Sequence, residues 1–253
     1  MGVLKRLIRY HYQGQEGQAY LREDNSLEVV AGARAQTLEE VTLLAPVQPS
    51  KIIGIGLNYH CHAREMNKAI PKEPLMFFKP STSVIGPGQA IVRPDGYERV
   101  DYEGELAIVF SQKARNIPAN KAHEVIEGYC CLNDVTVRDL QKRDVQYTRA
   151  KGFDTFAPLG PWISTLSSAD DLHLITRLNG VVRQDARTSD MIFSIPELVA
   201  AVTRVMTMLP GDIISTGTPS GVGPIEPGDV IEVEIDGLGV LRNSVITEKE
   251  IGA

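Results

Sequence analysis

Glycine, proline, asparagine and aspartate cut this sequence at short intervals, and the apolar runs between the cuts are strand-sized. VLKRLIRY, QAYLRE and SLEVV open the chain, broken by GQEGQ and EDNS. The prolines of TLEEVTLLAPVQPSK suit a connector, and KIIGIGLNY begins a more hydrophobic block. A boundary near Val47 therefore separates a small N-terminal β subdomain (1–47) from a main domain (48–253). Further strands are predicted over 51–56, 75–79, 90–93 and 103–110, with a polar turn or short helix over 58–67. Asn120 as N-cap, followed by Ala122, Val125, Ile126 and Tyr129 at helical spacing, predicts a helix that leads into YCCLNDV. The clearest helix starts at Ser194-Ile-Pro-Glu197, a capping-box pattern, and carries an apolar stripe from Leu198 to Leu209 that Pro210-Gly211 stops. Pro-Gly-Asp turns at 210–212 and 227–229 each feed an apolar run, and Asp236-Gly237 predicts a hairpin between IEVEI and VLRNSV. These elements define a β-dominant α+β fold, and the lack of a 20–50-residue repeat excludes solenoids and propellers.

A chain of 253 residues with 43% hydrophobic and 23% charged residues has ample material for one large core. Its net charge of −6 and lack of a basic run weigh against nucleic acid or an acidic membrane as partner. MGVLKRLI is too short and too charged for a signal peptide, and no apolar run approaches the roughly 18 residues of a membrane span, so a soluble, cytoplasmic protein is expected. Cys61, Cys130 and Cys131 are odd in number and lack CxxC spacing, which points to reduced, buried thiols.

Tyr102-Glu-Gly-Glu-Leu-Ala-Ile-Val-Phe110 places Glu103 and Glu105 at i and i+2 at the head of a hydrophobic strand, so period two turns both carboxylates to one face. Such a pair serves a solvated face or a cation; Asp134, behind the apolar run of CCLNDV, is a third acid that burial would require to be paired or metal-bound. An all-carboxylate set selects a hard cation. In NYHCHAREM, His62 and Glu65 share one face if the segment is helical, and the carboxylate then orients the imidazole as a general base; solvated loop histidines are the plainer alternative. Lys151, in TRAKGFD, is a surface lysine or, beside a cation and a carbonyl, an oxyanion stabiliser. The glycine-rich 217–223 offers backbone N–H groups and the Thr218 hydroxyl to a carboxylate, and lacks the Gly-Lys-Ser/Thr of a P-loop. Gly54-Ile-Gly56 is not a dinucleotide site, because Tyr59 stands where the third glycine belongs, and no G-x-S-x-G elbow is present.

Taken in order, GLNYHCHAREM, PLMFFKPSTSVIGPG, DYEGELAIVF, CCLNDVTVRDLQ, RAKGFDTFAPLGPWI and STGTPSGVG resemble the fumarylacetoacetate hydrolase family from about Lys51 onward. The resemblance implies a β-rich roll of mixed sheets, a homodimer, and one Mg²⁺ or Mn²⁺ on Glu103, Glu105 and Asp134. It also implies a His62–Glu65 catalytic dyad, Lys151 as the catalytic lysine, and Gln141 and Thr218 as substrate-binding residues, with Lys79 of FFKPS in the same group. Leu57 departs from the G-R-N-Y of acylpyruvate-cleaving relatives. The implied enzyme handles 2-oxo or 2,4-dioxo acids through an enolate, with C–C hydrolysis of an acylpyruvate- or fumarylpyruvate-type substrate ranked first. Isomerisation of 2-hydroxyhepta-2,4-diene-1,7-dioate (5-carboxymethyl-2-hydroxymuconate) and decarboxylation of oxaloacetate are its neighbours. A non-catalytic protein that binds a metal or a metabolite is the reading from another class, and the intact His62, Glu65 and Lys151 argue against it.

Overall fold

The computed structural model describes residues 4–250 and is built around Gly104–Phe110, a strand buried along its whole length. Leu106, Ile108 and Phe110 pack with Leu174, Val233 and Leu198, while Ala107 and Val109 pack on the opposite face with Ile52, Cys130 and Ile213. Burial on both faces explains why this strand reads as an unbroken apolar run instead of an alternation. Ile126–Asn133 and Ile213–Ser215 flank it, both antiparallel, in an eleven-stranded sheet that ends at Leu75–Lys79 on one side and Leu27–Gly32 on the other. A five-stranded sheet, containing the hairpin of Val230–Ile235 and Gly239–Thr247, covers one face together with the helix Ile195–Val205. A third sheet of three short strands, Thr136–Val137, Val100–Tyr102 and Gly223–Pro224, sits where the central strand begins.

The first strand, Arg6–Tyr12, pairs antiparallel with Ala157–Ser164, so the N-terminal strands prolong the large sheet while Ile8, Tyr10, Ala19 and Leu21 form a small core of their own. Two helical expectations change. Residues Ala119–Val125 form a 3-10 segment, and Ile126 and Tyr129 belong to the strand Ile126–Asn133. This run is hydrogen-bonded on both sides, to Gly104–Phe110 and Ala157–Ser164, and that pairing overrides the local helical spacing. The helix at 195 ends at Val205: Met206 is extended, and Met208 bridges to Ala114, so the last apolar residues of the stripe continue as irregular chain. At its start the Glu197 carboxylate accepts from both the N–H (2.8 Å) and the hydroxyl (2.7 Å) of Ser194. Cys61, Cys130 and Cys131 are free thiols, the last two fully buried.

Gly104 separates the two glutamates, and its place in the core explains the E-G-E spacing. A Cβ there would lie 2.1 Å from Thr176 Oγ1 and 3.1 Å from Gln184 Oε1 of the five-stranded sheet. Gly104→Ala is therefore expected to cost about 1–3 kcal/mol by overpacking. Thr176 Oγ1 is buried without a hydrogen-bond partner, so Thr176→Ala removes the clash cheaply. Calorimetric melting of both single variants and the double variant checks this, with partial recovery expected in the double.

Candidate active site

Glu103 is the one residue between Val100–Tyr102 of the small sheet and Gly104–Phe110 of the large one. Gly104 pairs with Asn133, and this register sets Glu103 opposite Asp134, whose N–H donates to the Glu103 carbonyl at 2.8 Å. Strand alternation returns Glu105 to the side of Glu103. Ligand oxygens of Glu103, Glu105 and Asp134 all lie within 4.8 Å of one another, and all three residues are at most 5% exposed.

Three cations balance this cluster. Lys151, at the end of the short helix Thr148–Lys151, donates to Glu103 Oε2 (2.8 Å), Thr136 Oγ1 (2.9 Å) and Asp134 Oδ2, with its ammonium 4.8 Å above the Phe77 ring. Arg138 Nη2 lies 2.6 Å from Glu103 Oε1, and its Nε donates to Asp101 at 2.7 Å. Lys79 donates to Asp134 Oδ1 and to the Val135 carbonyl. Burial opposes ionisation of Glu103, but Lys151 and Arg138 hold its carboxyl well below the usual range. Glu105 goes the other way. Burial first, then the negative charges of Asp134 and Glu103, push its carboxyl well above the usual range. Its Oε2 accepts only from Ser215 Oγ (2.5 Å) and the Gly217 N–H (2.9 Å), and it has no ion pair among the described residues. A crowded third acid without a cation of its own, in an all-oxygen set, fits Mg²⁺ or Mn²⁺.

The helix His60–Glu65 brings the expected pair together: His62 Nδ1 is 2.8 Å from Glu65 Oε2. The first-turn N–H of Cys61, which has no partner within the helix, is satisfied by Asp190 Oδ2 at 2.8 Å. The glycine-rich 217–223 does cradle carboxylates, but they are the protein's own. The Gly217 N–H serves Glu105, the Gly221 N–H serves Glu65 Oε1 (2.9 Å), and the Ser220 N–H points at Cys61 Sγ. The Thr218 hydroxyl donates to the Gly104 carbonyl and accepts from Gln184 Nε2, so it braces the glutamate strand and has no proton left for a ligand.

A cavity of about 170 Å³ joins these groups; Glu103, Glu105, His62, Lys151, Gln141 and Thr218 all line it, as do Arg138, Leu57, Met66, Lys68, Leu75 and Tyr147. Gln141 Oε1 accepts from Arg138 at 2.7 Å, which leaves its amide N–H groups for a ligand. Lys79 does not reach the cavity. It is fully buried and paired with Asp134, and neither residue lines the cavity, so Lys79 supports a carboxylate where a contact with substrate was expected. Arg138, Gln184 and Ser215 were not singled out from sequence. Arg138 had a signal, an arginine one helical turn before Gln141; Gln184 and Ser215 come from distant strands and had none. Leu57 takes a left-handed φ of 53° on the cavity wall, a conformation that costs a leucine about 1–2 kcal/mol. Asn58 holds the turn by bonding Thr216 and both the carbonyl and the N–H of Phe193.

A mixed-sheet roll with a buried acid triad at the head of its central strand, beside a His–Glu pair, defines a class of enzyme, and sequence comparison identifies it. The model of the fumarylacetoacetate (FAA) hydrolase C-terminal region matches residues 51–246, and the chain belongs to the fumarylacetoacetate hydrolase family. It is 43% identical to the 5-carboxymethyl-2-hydroxymuconate delta-isomerase of Mycobacterium smegmatis, whose structure superposes with a TM-score of 0.87 over 96% of this chain and 99% of that one. It is 41% identical to the human mitochondrial oxaloacetate tautomerase FAHD2A over 82% of this chain and 70% of that protein. A maleylpyruvate hydrolase of Sphingobium, solved with manganese(II) and pyruvate, is 30% identical, with a TM-score of 0.78 over 96% and 99% of the two chains.

Because Glu105 carries like-charge repulsion without a cationic partner, Glu105→Gln is expected to weaken Mn²⁺ binding at least about 10-fold in calorimetric titration. The same variant, melted without metal, is expected to be at least as stable as the wild type.

Proposed function

We propose that this protein is a divalent-metal-dependent enzyme that moves a proton at the carbon next to the 2-oxo group of a 2-oxo acid. The reaction is keto–enol tautomerisation, or its extension along a conjugated chain as double-bond isomerisation. The observation that carries this reading is the convergence on one small cavity of Glu103 and Glu105 of the buried acid triad, Lys151 and a His62 whose Nδ1 is held by Glu65. Glu103, Glu105 and Asp134 would hold a divalent cation, which would supply Lewis acidity toward such a substrate. Gln141 donates to the substrate carboxylate through its free amide. Lys151 and Arg138 place positive charge beside the oxygen that becomes negative when the α-proton leaves. His62 Nε2, the ring nitrogen not engaged by Glu65, takes that proton and returns it to oxygen or to the far end of the conjugated system. The two named relatives above 40% identity, an isomerase and a tautomerase, support this order of preference over the hydrolysis ranked first from sequence.

The His62–Glu65 pair also favours a second reading. The same base can deliver water to a distal carbonyl where the substrate has one, giving C–C hydrolysis, and the maleylpyruvate hydrolase relative supports that branch.

Mn²⁺-supplemented assays on enol oxaloacetate, a 2-hydroxy-dienedioate and acetylpyruvate, with products followed by NMR, test the proposal. Tautomer or isomer formation is expected, and pyruvate plus a carboxylic acid as sole products would move the weight to hydrolysis. His62→Ala is expected to bind Mn²⁺ like the wild type and lose about 10²- to 10⁴-fold in proton transfer. An unchanged rate would remove His62 from the mechanism.

A further inference from the structure

The cavity is graded from floor to rim. Glu103 and Glu105 at its floor are nearly inaccessible, whereas Met66 and Leu75 at its rim are 45% and 47% exposed. The cations are graded too. Lys151 is paired with Glu103 and Asp134, and Arg138 with Glu103 and Asp101, so the floor's positive charge is compensated within the protein. Lys68 differs. It lines the same cavity at the rim and has no carboxylate partner among the described residues.

Its backbone is not loose. The helix carrying His62 and Glu65 ends at Met66, Asn67 follows with a left-handed φ of 49°, and the Lys68 N–H closes back on the Ala63 carbonyl at 3.0 Å. The Asn67 N–H bonds the Arg64 carbonyl at 3.1 Å, completing a Schellman cap with asparagine in the position usually held by glycine. The α-carbon of Lys68 is thereby fixed to the short helix that positions the proposed base. Leu57, Met66 and Leu75 give the cavity an apolar side, so for an anionic group on the far part of a ligand Lys68 is the one cation there not already paired.

We propose that Lys68 is a specificity-determining residue that pairs with a second carboxylate, which makes the preferred ligands 2-oxo dicarboxylic acids or their enol forms. This rests on the 2-oxo acid reading above and adds to it the chemistry of the distal end. A charge-assisted contact of this kind at a half-exposed rim discriminates by about 10- to 100-fold.

The test separates binding from turnover. Mn²⁺-loaded wild type, Lys68→Met, Lys68→Arg and Lys72→Met are titrated calorimetrically with oxaloacetate, 2-oxoglutarate and 2-oxoadipate, and with the monocarboxylates 2-oxobutanoate and 2-oxopentanoate. Lys72 is an exposed lysine of the same segment outside the cavity and controls for general charge. Wild type is expected to prefer at least one dicarboxylate over its monocarboxylate counterpart by about 10-fold or more. Lys68→Met should bring that ratio near one without changing monocarboxylate affinity, while Lys68→Arg and Lys72→Met keep it. A wild type without preference, or a ratio that survives Lys68→Met, overturns the assignment. Failure of the functional reading looks different: no 2-oxo acid of either kind binds the loaded protein, and none is turned over.

Discussion

The pairing of Gly104 with Asn133 is the constraint on which the rest of the site depends. It sets Glu103 against Asp134 across two neighbouring strands, and strand alternation adds Glu105. A slip of one residue would turn these side chains to the opposite face, so the register is also the address of the site. The register is secured by packing and backbone contacts that do not involve the carboxylates. Both faces of Gly104–Phe110 are buried, and the lack of a side chain at Gly104 lets the five-stranded sheet approach closely enough for Gln184 to bond its N–H. Gln184 also holds Thr218 and the Pro219 carbonyl, tying the glutamate strand to the glycine-rich loop.

Three buried acids create an electrostatic problem that the surrounding residues are arranged to solve. Breaking a buried ion pair by removing one partner typically costs about 3–5 kcal/mol, because the survivor keeps its charge without compensation. Here Asp134 is held from two sides, by Lys79 behind it and by Lys151 on the cavity side, and Glu103 by Lys151 and Arg138. Glu105 is left with hydrogen bonds alone, which is the asymmetry that invites a cation. Backbone N–H groups that sequence inspection offers to a substrate are spent on Glu105 and Glu65, so the loop stabilises the site from within.

Much of this was legible in the sequence because it depends on short-range periodicity. The E-x-E spacing, the H-x-x-E spacing and the hairpin at Asp236-Gly237 each follow from where neighbouring side chains point in a strand, a helix or a turn. What was misread depends on the tertiary partner. Ile126 and Tyr129 have helical spacing but lie between two strands that claim their backbone. Lys79 sits in a motif that offers it to a ligand, and only the packing of its strand shows that it is fully buried and paired with Asp134 away from the cavity lining. Lys68 lies in a segment, NKAIPKEP, that reads as plain loop, and its significance comes from the pairing of every other cation on the cavity wall.

Anomalous diffraction at the manganese edge, from crystals of the Mn²⁺-loaded protein grown with a slowly reacting 2-oxo acid, tests the central claim most directly. A single strong peak bounded by Glu103, Glu105 and Asp134, with the 2-oxo end of the ligand on it and His62 beside the adjacent carbon, is the expected result. Manganese elsewhere, with Lys151 still bridging Glu103 and Asp134 and the ligand outside the cavity, would contradict it.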